Sequence, residues 1–358
     1  LRRYFQFRRC QRTLLRVASI RQPDVVVGVD FSGFNLRFAC ALRRLLRQAP
    51  RFFGNWKPII VQYVSPQVWA SRPGRVRTMQ KNLDLVLCLF SFEKEWYLQH
   101  APGLRVEFVG HPVVDRHQQL LKELRERDSR DQPNCETHNV VLLPGSREEE
   151  IRRHAPAMLE AARLVSAGVS AANGRRPGFQ TQVNFEMVLA NAQFKRIVES
   201  LRDRLMPQCE VRVGGLGESL AKATVAMACT GTVTLECALY RVPTVTLYKT
   251  SPLNYFIARR LVTVRYLAMP NILAGEEVFP EFIQDRATPV NLARAAAAFL
   301  ESKALRDSVR SKLGGVVAKL GPSGAASRAA AEVSSLLACS LGVAHGEGLG
   351  WERDSLGR

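Results

Sequence analysis

The 358-residue sequence lacks the short patterns that announce a metal or a common nucleotide cofactor. Its eight cysteines include no C-x-x-C pair and its six histidines no H-E-x-x-H, so neither a structural zinc site nor a zincin is indicated. The thiols read as buried free cysteines of a reducing compartment. A D-x-D triplet, one common way of holding a divalent ion against a diphosphate, does not occur. Neither does a G-x-G-x-x-G or a G-x-x-x-x-G-K-[ST], which removes the standard dinucleotide and P-loop readings. No metal and no cofactor are expected. Apolar runs such as "LDLVLCLF" (83–90) fall far short of the about eighteen residues that cross a bilayer, so any membrane contact is expected to be peripheral. No repeat of solenoid length is present.

Acid is also in short supply. The 51 Lys plus Arg against 32 Asp plus Glu leave a charge of +19, which favours an anionic partner: nucleic acid, a phosphorylated ligand or an anionic membrane face. The arginines are dispersed and no nucleic-acid motif accompanies them, so no nucleic-acid partner is expected. The first 21 residues hold seven arginines and no acid, as organelle transit peptides do, but Leu1, Tyr4, Phe5, Leu14, Leu15 and Val17 suit one face of a helix. An internal helix is expected there, with a strand opening after Pro23. The chain starts at Leu1 rather than Met, and its biological N-terminus is expected to be missing.

With 46% hydrophobic residues the chain can bury a large core, and its length suits two domains. Strand-like runs alternate with helical patterns, the mark of parallel sheets with crossover helices. The runs are "DVVVGVD" (24–30), "PIIVQYVS" (58–65), "LDLVLCLF" (83–90), "VEFVG" (106–110), "VVLLPG" (140–145), "FEMVLAN" (185–191), "CEVRV" (209–213), "ATVAMAC" (223–229) and "PTVTLY" (243–248). The expected organisation is a truncated N-terminal Rossmann-like domain (1–120), a linker (121–138), a C-terminal Rossmann-like domain (139–320), a final helix (321–340) packing back on the first domain, and a disordered tail (341–358). Beyond Thr288 the pattern is helical, with Gly321 and Pro322 separating two helices.

In such sheets ligands sit beyond the carboxyl ends of the strands. At "PGSREEEI", Ser146 and Arg147 stand where a strand hands over to a helix. Two readings are open: a seat for an anion on unpartnered N–H groups, or Ser146 as an N-cap completed by Glu149 with Arg147 a surface charge. "VGVD" ends in Asp30, after which Gly33 permits a tight turn and Asn35 can cap a helix. "CTGTVTLE" puts Thr230, Gly231 and Thr232 at another strand-to-helix turn. They can serve a diphosphate or simply cap the helix, while Glu236 can accept from two vicinal ribose hydroxyls. Trp69 and Arg72 follow a strand in "YVSPQVWASRPG", and Asn271 sits in the apolar loop "MPNILAG".

In this order and at this spacing, "VGVD", "YVSPQVWA", "FVGHPVVD", "LLPGSREEEI", "TGTVTLE" and "PNILAG" resemble the lipid-A-disaccharide synthase family of inverting GT-B glycosyltransferases, from about Pro23 to Ala331. The resemblance implies an α/β GT-B fold, two Rossmann-like domains facing a cleft, with the N-terminal domain incomplete. It implies transfer of 2,3-diacylglucosamine from its UDP conjugate to the 6′-hydroxyl of 2,3-diacylglucosamine 1-phosphate without a metal. Asp30 would be the catalytic base, and Ser146, Arg147, Thr230, Gly231, Thr232, Glu236, Asn271, Trp69 and Arg72 would bind substrate. It also implies a peripheral membrane enzyme: cytoplasmic face if bacterial, mitochondrion or plastid if eukaryotic. The chain departs from the family's usual "DAPDFN" at Gly33 and from "VWAWR" at Ser71, and the family's "GExSGD" segment is absent. Competing readings are another UDP-N-acetylglucosamine-using GT-B enzyme, such as the peptidoglycan transferase or the 2-epimerase, and a non-catalytic UDP-sugar-binding remnant.

Overall fold

The computed structural model describes residues 2–48, 52, 54, 56–122, 137–170, 174–175 and 182–341. The expected tail beyond 341 and most of the expected linker lie outside these residues. Along the chain run α1 (Arg2–Arg21), β1 (Val25–Val29), α2 (Ser32–Gln48), β2 (Ile59–Tyr63), α3 (Val76–Asn82), β3 (Leu85–Cys88), α4 (Ser91–His100) and β4 (Arg105–Phe108). Then follow α5 (Pro112–Arg116), β5 (Thr137–Leu143), α6 (Glu148–Ser166), β6 (Gln182–Leu189), α7 (Lys195–Leu205), β7 (Glu210–Val213), α8 (Leu216–Lys222), β8 (Val225–Cys229) and α9 (Val233–Leu239). The last elements are β9 (Thr244–Tyr248), α10 (Pro252–Leu261), α11 (Met269–Ala274), β10 (Glu281–Ile283), α12 (Pro289–Glu301), α13 (Lys303–Ala318) and α14 (Ala325–Ser340). Each apolar run read from the sequence is a strand; β10, α13, the helix α11 in place of an apolar loop, and a short antiparallel pair, Val169–Ser170 with Gly174–Arg175, are additional.

Two compact units result: Leu1–Pro66 and Gly74–Val109 with the C-terminal segment from Gly324, and Gln67–Pro73 with Gly110–Ser323. The first contains a parallel sheet of order β1-β2-β3-β4. Helix α14 belongs to it: Arg328 Nε donates to the Val109 carbonyl at 2.9 Å, and Arg105 pairs with Glu332 at 3.0 Å. Helix α1 does not bury the face expected of it. Phe5, Leu14 and Val17 are exposed, and among the described residues of the helix only Ala18 is buried.

The second unit contains a six-stranded parallel sheet of order β10-β9-β8-β5-β6-β7. Val140–Leu143 of β5 and Val225–Ala228 of β8, the central strands, are buried apolar runs because helices cover both faces. The division falls at Val109/Gly110 rather than after residue 120. The His111 N–H donates to the Leu320 carbonyl at 2.9 Å, and His117 bonds to side chains of α9. The loop 67–73 also belongs here, since Ser71 bridges to Val262 and the Thr263 N–H donates to the Ala70 carbonyl at 3.0 Å.

Two buried polar residues fix the loops of this unit. Helix α6 buries a stripe that includes Ile151, His154, Ala155, Met158, Leu159 and Ala162, spaced at three and four residues. His154 in that stripe joins two strand ends: its Nδ1 donates to the Pro144 carbonyl at 2.9 Å and its Nε2 accepts from the Lys249 N–H at 3.0 Å. The ring is therefore the neutral Nδ1–H tautomer. Asn271, expected to bind substrate, is instead fully buried and fully used. Its Nδ2 donates to the Phe279 carbonyl (2.7 Å) and Glu281 Oε1 (2.8 Å), and its Oδ1 accepts from the Val278 and Phe279 N–H groups (2.9 and 2.8 Å). No hydrogen-bonding capacity is left for a ligand, so its role is to fold the loop from α11 to β10.

Replacing this side chain strands partners on both sides. Asn271→Ala should lower stability by roughly 2–4 kcal/mol, read from urea unfolding. A loss below about 0.5 kcal/mol would show the network to be dispensable.

Burial first of all holds His111 and His154 below the ordinary histidine value of 6.5, His111 at about 4. The unfolded chain thus binds more protons than the folded one between pH 6.5 and about 4. The stability of the neutral rings is complete above that window and is lost as pH falls through it. Unfolding midpoints should drop from pH 7 to pH 5. His111→Asn keeps an acceptor for the Val113 N–H and should flatten that slope by up to about 1.4 kcal/mol per pH unit; an unchanged slope contradicts the assignment.

Candidate functional site

Beyond the carboxyl end of β5 the chain turns at Pro144 and Gly145. Gly145 has φ +124°, and a Cβ built on it would lie 2.7 Å from Glu150 Oε2, so only glycine fits. Helix α6 then begins one residue later than the capping alternative would have it: Arg147, extended at φ −115° and ψ 146°, is the N-cap rather than Ser146. The acid that turns back is accordingly Glu150, not Glu149. Its Oε2 accepts from the N–H groups of Ser146 (3.2 Å) and Arg147 (3.3 Å), while Arg147 Nη1 donates to Oε1 at 2.6 Å. The first-turn donors of a 19-residue helix thus already hold an anion, and that anion is the chain's own carboxylate.

The neighbouring strand β8 ends at Cys229, and the next turn exposes Gly231 and Thr232 with Thr230 half-buried. The Thr230 N–H is used by the Leu247 carbonyl at 3.0 Å, and Thr234 Oγ1 closes the turn on the Gly231 carbonyl at 2.7 Å. One turn into α9 lies Glu236, buried, with Oε1 3.1 Å from His117 Nε2 and 3.4 Å from Arg116 Nη1. A third turn follows β7, where Gly214 and Gly215 take left-handed φ values of +73° and +67°.

These turns enclose one cavity of about 920 Å³, large enough for a nucleotide. Ser146, Arg147, Thr230, Gly231, Thr232 and Glu236 all line it. Cys229 also borders it, but burial pushes its thiol up to about 12, so it stays protonated and is no nucleophile. Trp69 and Arg72 are not among the lining residues, and neither is Asn271. The first two belong to the loop that pairs with Val262 and Thr263. Among the described residues no cluster of His, Cys, Asp or Glu could hold a metal ion.

Some lining residues escaped the sequence reading. Arg116 and His117 lie in a segment assigned to the other domain. The turn "VGGLGES" (213–219) was legible, since three glycines in four residues after a strand announce a close approach.

Asp30 lies in the first unit, at the end of β1. Gly33 makes no tight turn, being inside the first turn of α2, and Asn35 does not cap that helix. Asn35 Nδ2 reaches back to the carbonyls of Val29 (3.1 Å) and Asp30 (2.9 Å), and a Cβ on Gly28 would lie 2.9 Å from it. Asp30 has φ +49°, a left-handed backbone held by its N–H on the Tyr63 carbonyl and by Gln62 Nε2 on its own carbonyl, both at 2.9 Å. The buried Gln62 amide also bonds the carbonyl of Val64, itself left-handed at φ +67°. The left-handed backbone at both strand ends is thus held by one buried amide. The Asp30 carboxylate is exposed, with no hydrogen-bond partner among the described residues.

The second unit can therefore present amides and a guanidinium to a diphosphate and a carboxylate to a diol. Similar folds are found in a UDP-N-acetylglucosamine 2-epimerase of Neisseria meningitidis (TM-score 0.52, 13% identity, 91% of this chain and 80% of that one). A putative UDP-N-acetylglucosamine 2-epimerase of Listeria monocytogenes is similar too (TM-score 0.55, 15% identity, 92% and 79%). These likenesses establish the fold, two Rossmann-like units of the GT-B class. Among curated proteins, the lipid-A-disaccharide synthase of Sulfurihydrogenibium sp. is 33% identical over 320 residues, covering 88% of this chain and 78% of its own length. That of Azotobacter vinelandii is 35% identical over 294 residues, covering 81% and 71%. The family model for lipid-A-disaccharide synthetase matches residues 1–326, and with these relatives it places the chain in that family.

Proposed function

We propose that the chain is an inverting glycosyltransferase that joins two acylated glucosamine units into the lipid A disaccharide, using UDP-2,3-diacylglucosamine as donor and 2,3-diacylglucosamine 1-phosphate as acceptor. The observation that carries this reading is the cavity of the second unit, where an anion seat at the head of α6 and the Glu236 carboxylate share one space. The diphosphate takes the place of Glu150 on the Ser146 and Arg147 N–H groups. Arg147, with its side chain largely exposed, turns from Glu150 to the phosphate oxygens. Thr232 and Gly231 supply further donors. Glu236 accepts from the ribose hydroxyls.

The reaction is one displacement. The acceptor's hydroxyl oxygen forms a bond to the anomeric carbon as the carbon–oxygen bond to the diphosphate breaks, and UDP leaves with both electrons of that bond. Negative charge grows on the leaving oxygen, where the amides and the guanidinium stabilise it. The hydroxyl proton passes to the Asp30 carboxylate, which no internal hydrogen bond occupies among the described residues. Acylated substrates place the work at a membrane surface, and no helix among the described residues is long and apolar enough to cross one.

Asp30→Asn should cut turnover by about 10²–10⁴-fold in a radiolabelled sugar-transfer assay while the dissociation constant for UDP stays within twofold. Parallel loss of UDP binding would make Asp30 a structural residue. Arg147→Ala should weaken UDP by roughly 1.5–3 kcal/mol by titration calorimetry, the scale of a charged hydrogen bond. An unchanged constant would return the guanidinium to the role of a helix-surface charge.

A further inference from the structure

Glu236 is held by side chains of one other segment of the second unit, Arg116 and His117 at the end of α5. His117, just after α5, lies with Nε2 3.1 Å from Glu236 Oε1 and Nδ1 2.9 Å from the Tyr240 hydroxyl. A carboxylate only accepts, so Nε2 carries the proton; a neutral ring then has a bare Nδ1, which accepts from the Tyr240 hydroxyl. Tyr240 suits that direction, because burial and then Glu218 and Glu236 push its hydroxyl up to about 12 and keep it protonated. The two rings meet edge to face, with centroids 5.3 Å apart and an interplanar angle of 83°.

The pair is enclosed. A Cβ on Gly217 would stand 2.7 Å from the Tyr240 hydroxyl and 2.9 Å from Leu120 Cδ2, so α8 can pack against them only through a glycine. Both His117 and Glu236 are buried, yet both line the cavity. Arg116 also approaches Oε1, at 3.4 Å, but its side chain is mostly in solvent and contributes little. Glu236 Oε1 is thereby satisfied within the protein, and Oε2 has no hydrogen-bond partner among the described residues.

We infer that His117 is a positioning residue: locked by Tyr240, it holds one oxygen of Glu236 so that the other accepts from the ribose hydroxyls of the nucleotide. This rests on the proposed ribose role of Glu236 and adds the group that fixes its geometry. An unheld glutamate would share its time among rotamers, and ligand binding would have to order it. A ring N–H at a fixed place removes that cost only for ligands that have hydroxyls to offer. His117 therefore sets the discrimination between a ribonucleotide and its deoxy analogue, not general affinity for the diphosphate.

The test compares UDP with 2′,3′-dideoxy-UDP by titration calorimetry on the whole chain. In His117→Ala the dissociation constant for UDP should rise about tenfold, while that for dideoxy-UDP stays within twofold. His117→Gln, whose amide nitrogen can donate from near the Nε2 position, should recover most of the preference. Tyr240→Phe should lose part of it, about threefold, and carries the test should His117→Ala not fold. Equal weakening of both ligands, or an unchanged preference in His117→Ala and Tyr240→Phe, overturns the inference. Glu236→Ala separates the two levels. If it keeps the preference, the ribose role falls and the inference with it; if it loses the preference while the His117 and Tyr240 variants keep it, the inference alone falls.

Discussion

A helix cannot begin without leaving N–H groups unpartnered, and in the second unit that constraint shapes the turn on which the proposed diphosphate seat rests. At the head of α6 the donors of Ser146 and Arg147 are held by Glu150, so the seat is polarised and shaped before any ligand arrives. Three consecutive acids open the helix, but they are not equivalent. Glu148 and Glu149 are exposed and pair along the helix with Arg152 and Arg153 at 2.8 and 3.7 Å. Only Glu150 folds back, and Gly145 leaves the room for it to do so. On the proposed function, binding a diphosphate here would be an exchange of one anion for another rather than the filling of a bare site. The strength of the seat then depends on the difference between the two, and Arg147, which touches Glu150 now, is free to follow the incoming charge.

The first unit uses a different device. Its sheet ends β1 and β2 in non-glycine residues with left-handed backbone, Asp30 and the β-branched Val64, the latter a costly choice. One buried amide, Gln62, bonds the carbonyls of Asp30, Tyr63 and Val64 at 2.9 to 3.1 Å. Because those carbonyls are committed, the Asp30 backbone cannot relax to an extended form without leaving a buried donor unpaired. The exposed carboxylate sits on a fixed root. Rigid placement of this kind is what a base for a single displacement requires.

Elements whose physics is local were legible in the sequence. Central strands such as β5 and β8 are buried on both faces and read as unbroken apolar runs, and turns such as "CTGT" carry their own signal. Strand β10 did not show itself, being three residues long and containing the buried Glu281, which a run of apolar residues would not include. Helix α13 merged with its neighbours because nothing but Ser302 separates it from α12. The one-residue offset at α6 follows from the same limit: Ser146 and Arg147 can each precede a helix, and the choice is made by Gly145 and the fold-back of Glu150. The segment after β4 was given to the wrong unit because its partners, Glu236 and Tyr240, lie about 120 residues away in sequence. Six of the expected binding positions do share a cavity, since strand ends of one parallel sheet converge by topology. Asn271 was placed by motif alone, and motif does not say that its side chain is consumed by the loop it folds.

Two buried glutamates of the second unit make the last point. In sequence Glu236 and Glu281 are alike, each an acid in apolar company. Glu281 accepts from the N–H groups of Leu267 and Ala268 and from Asn271 Nδ2, so both of its oxygens are bound by the loop it closes. Glu236 is bonded through Oε1 alone, by side chains rather than by backbone, at the wall of a cavity. Burying a carboxylate is costly unless its acceptors are filled, and Oε2 of Glu236, without a partner among the described residues, is the acceptor that the proposed ribose role would fill. The distinction between a structural and a functional buried acid is therefore a matter of which acceptors the fold has already used, and only the three-dimensional hydrogen-bond inventory reveals it.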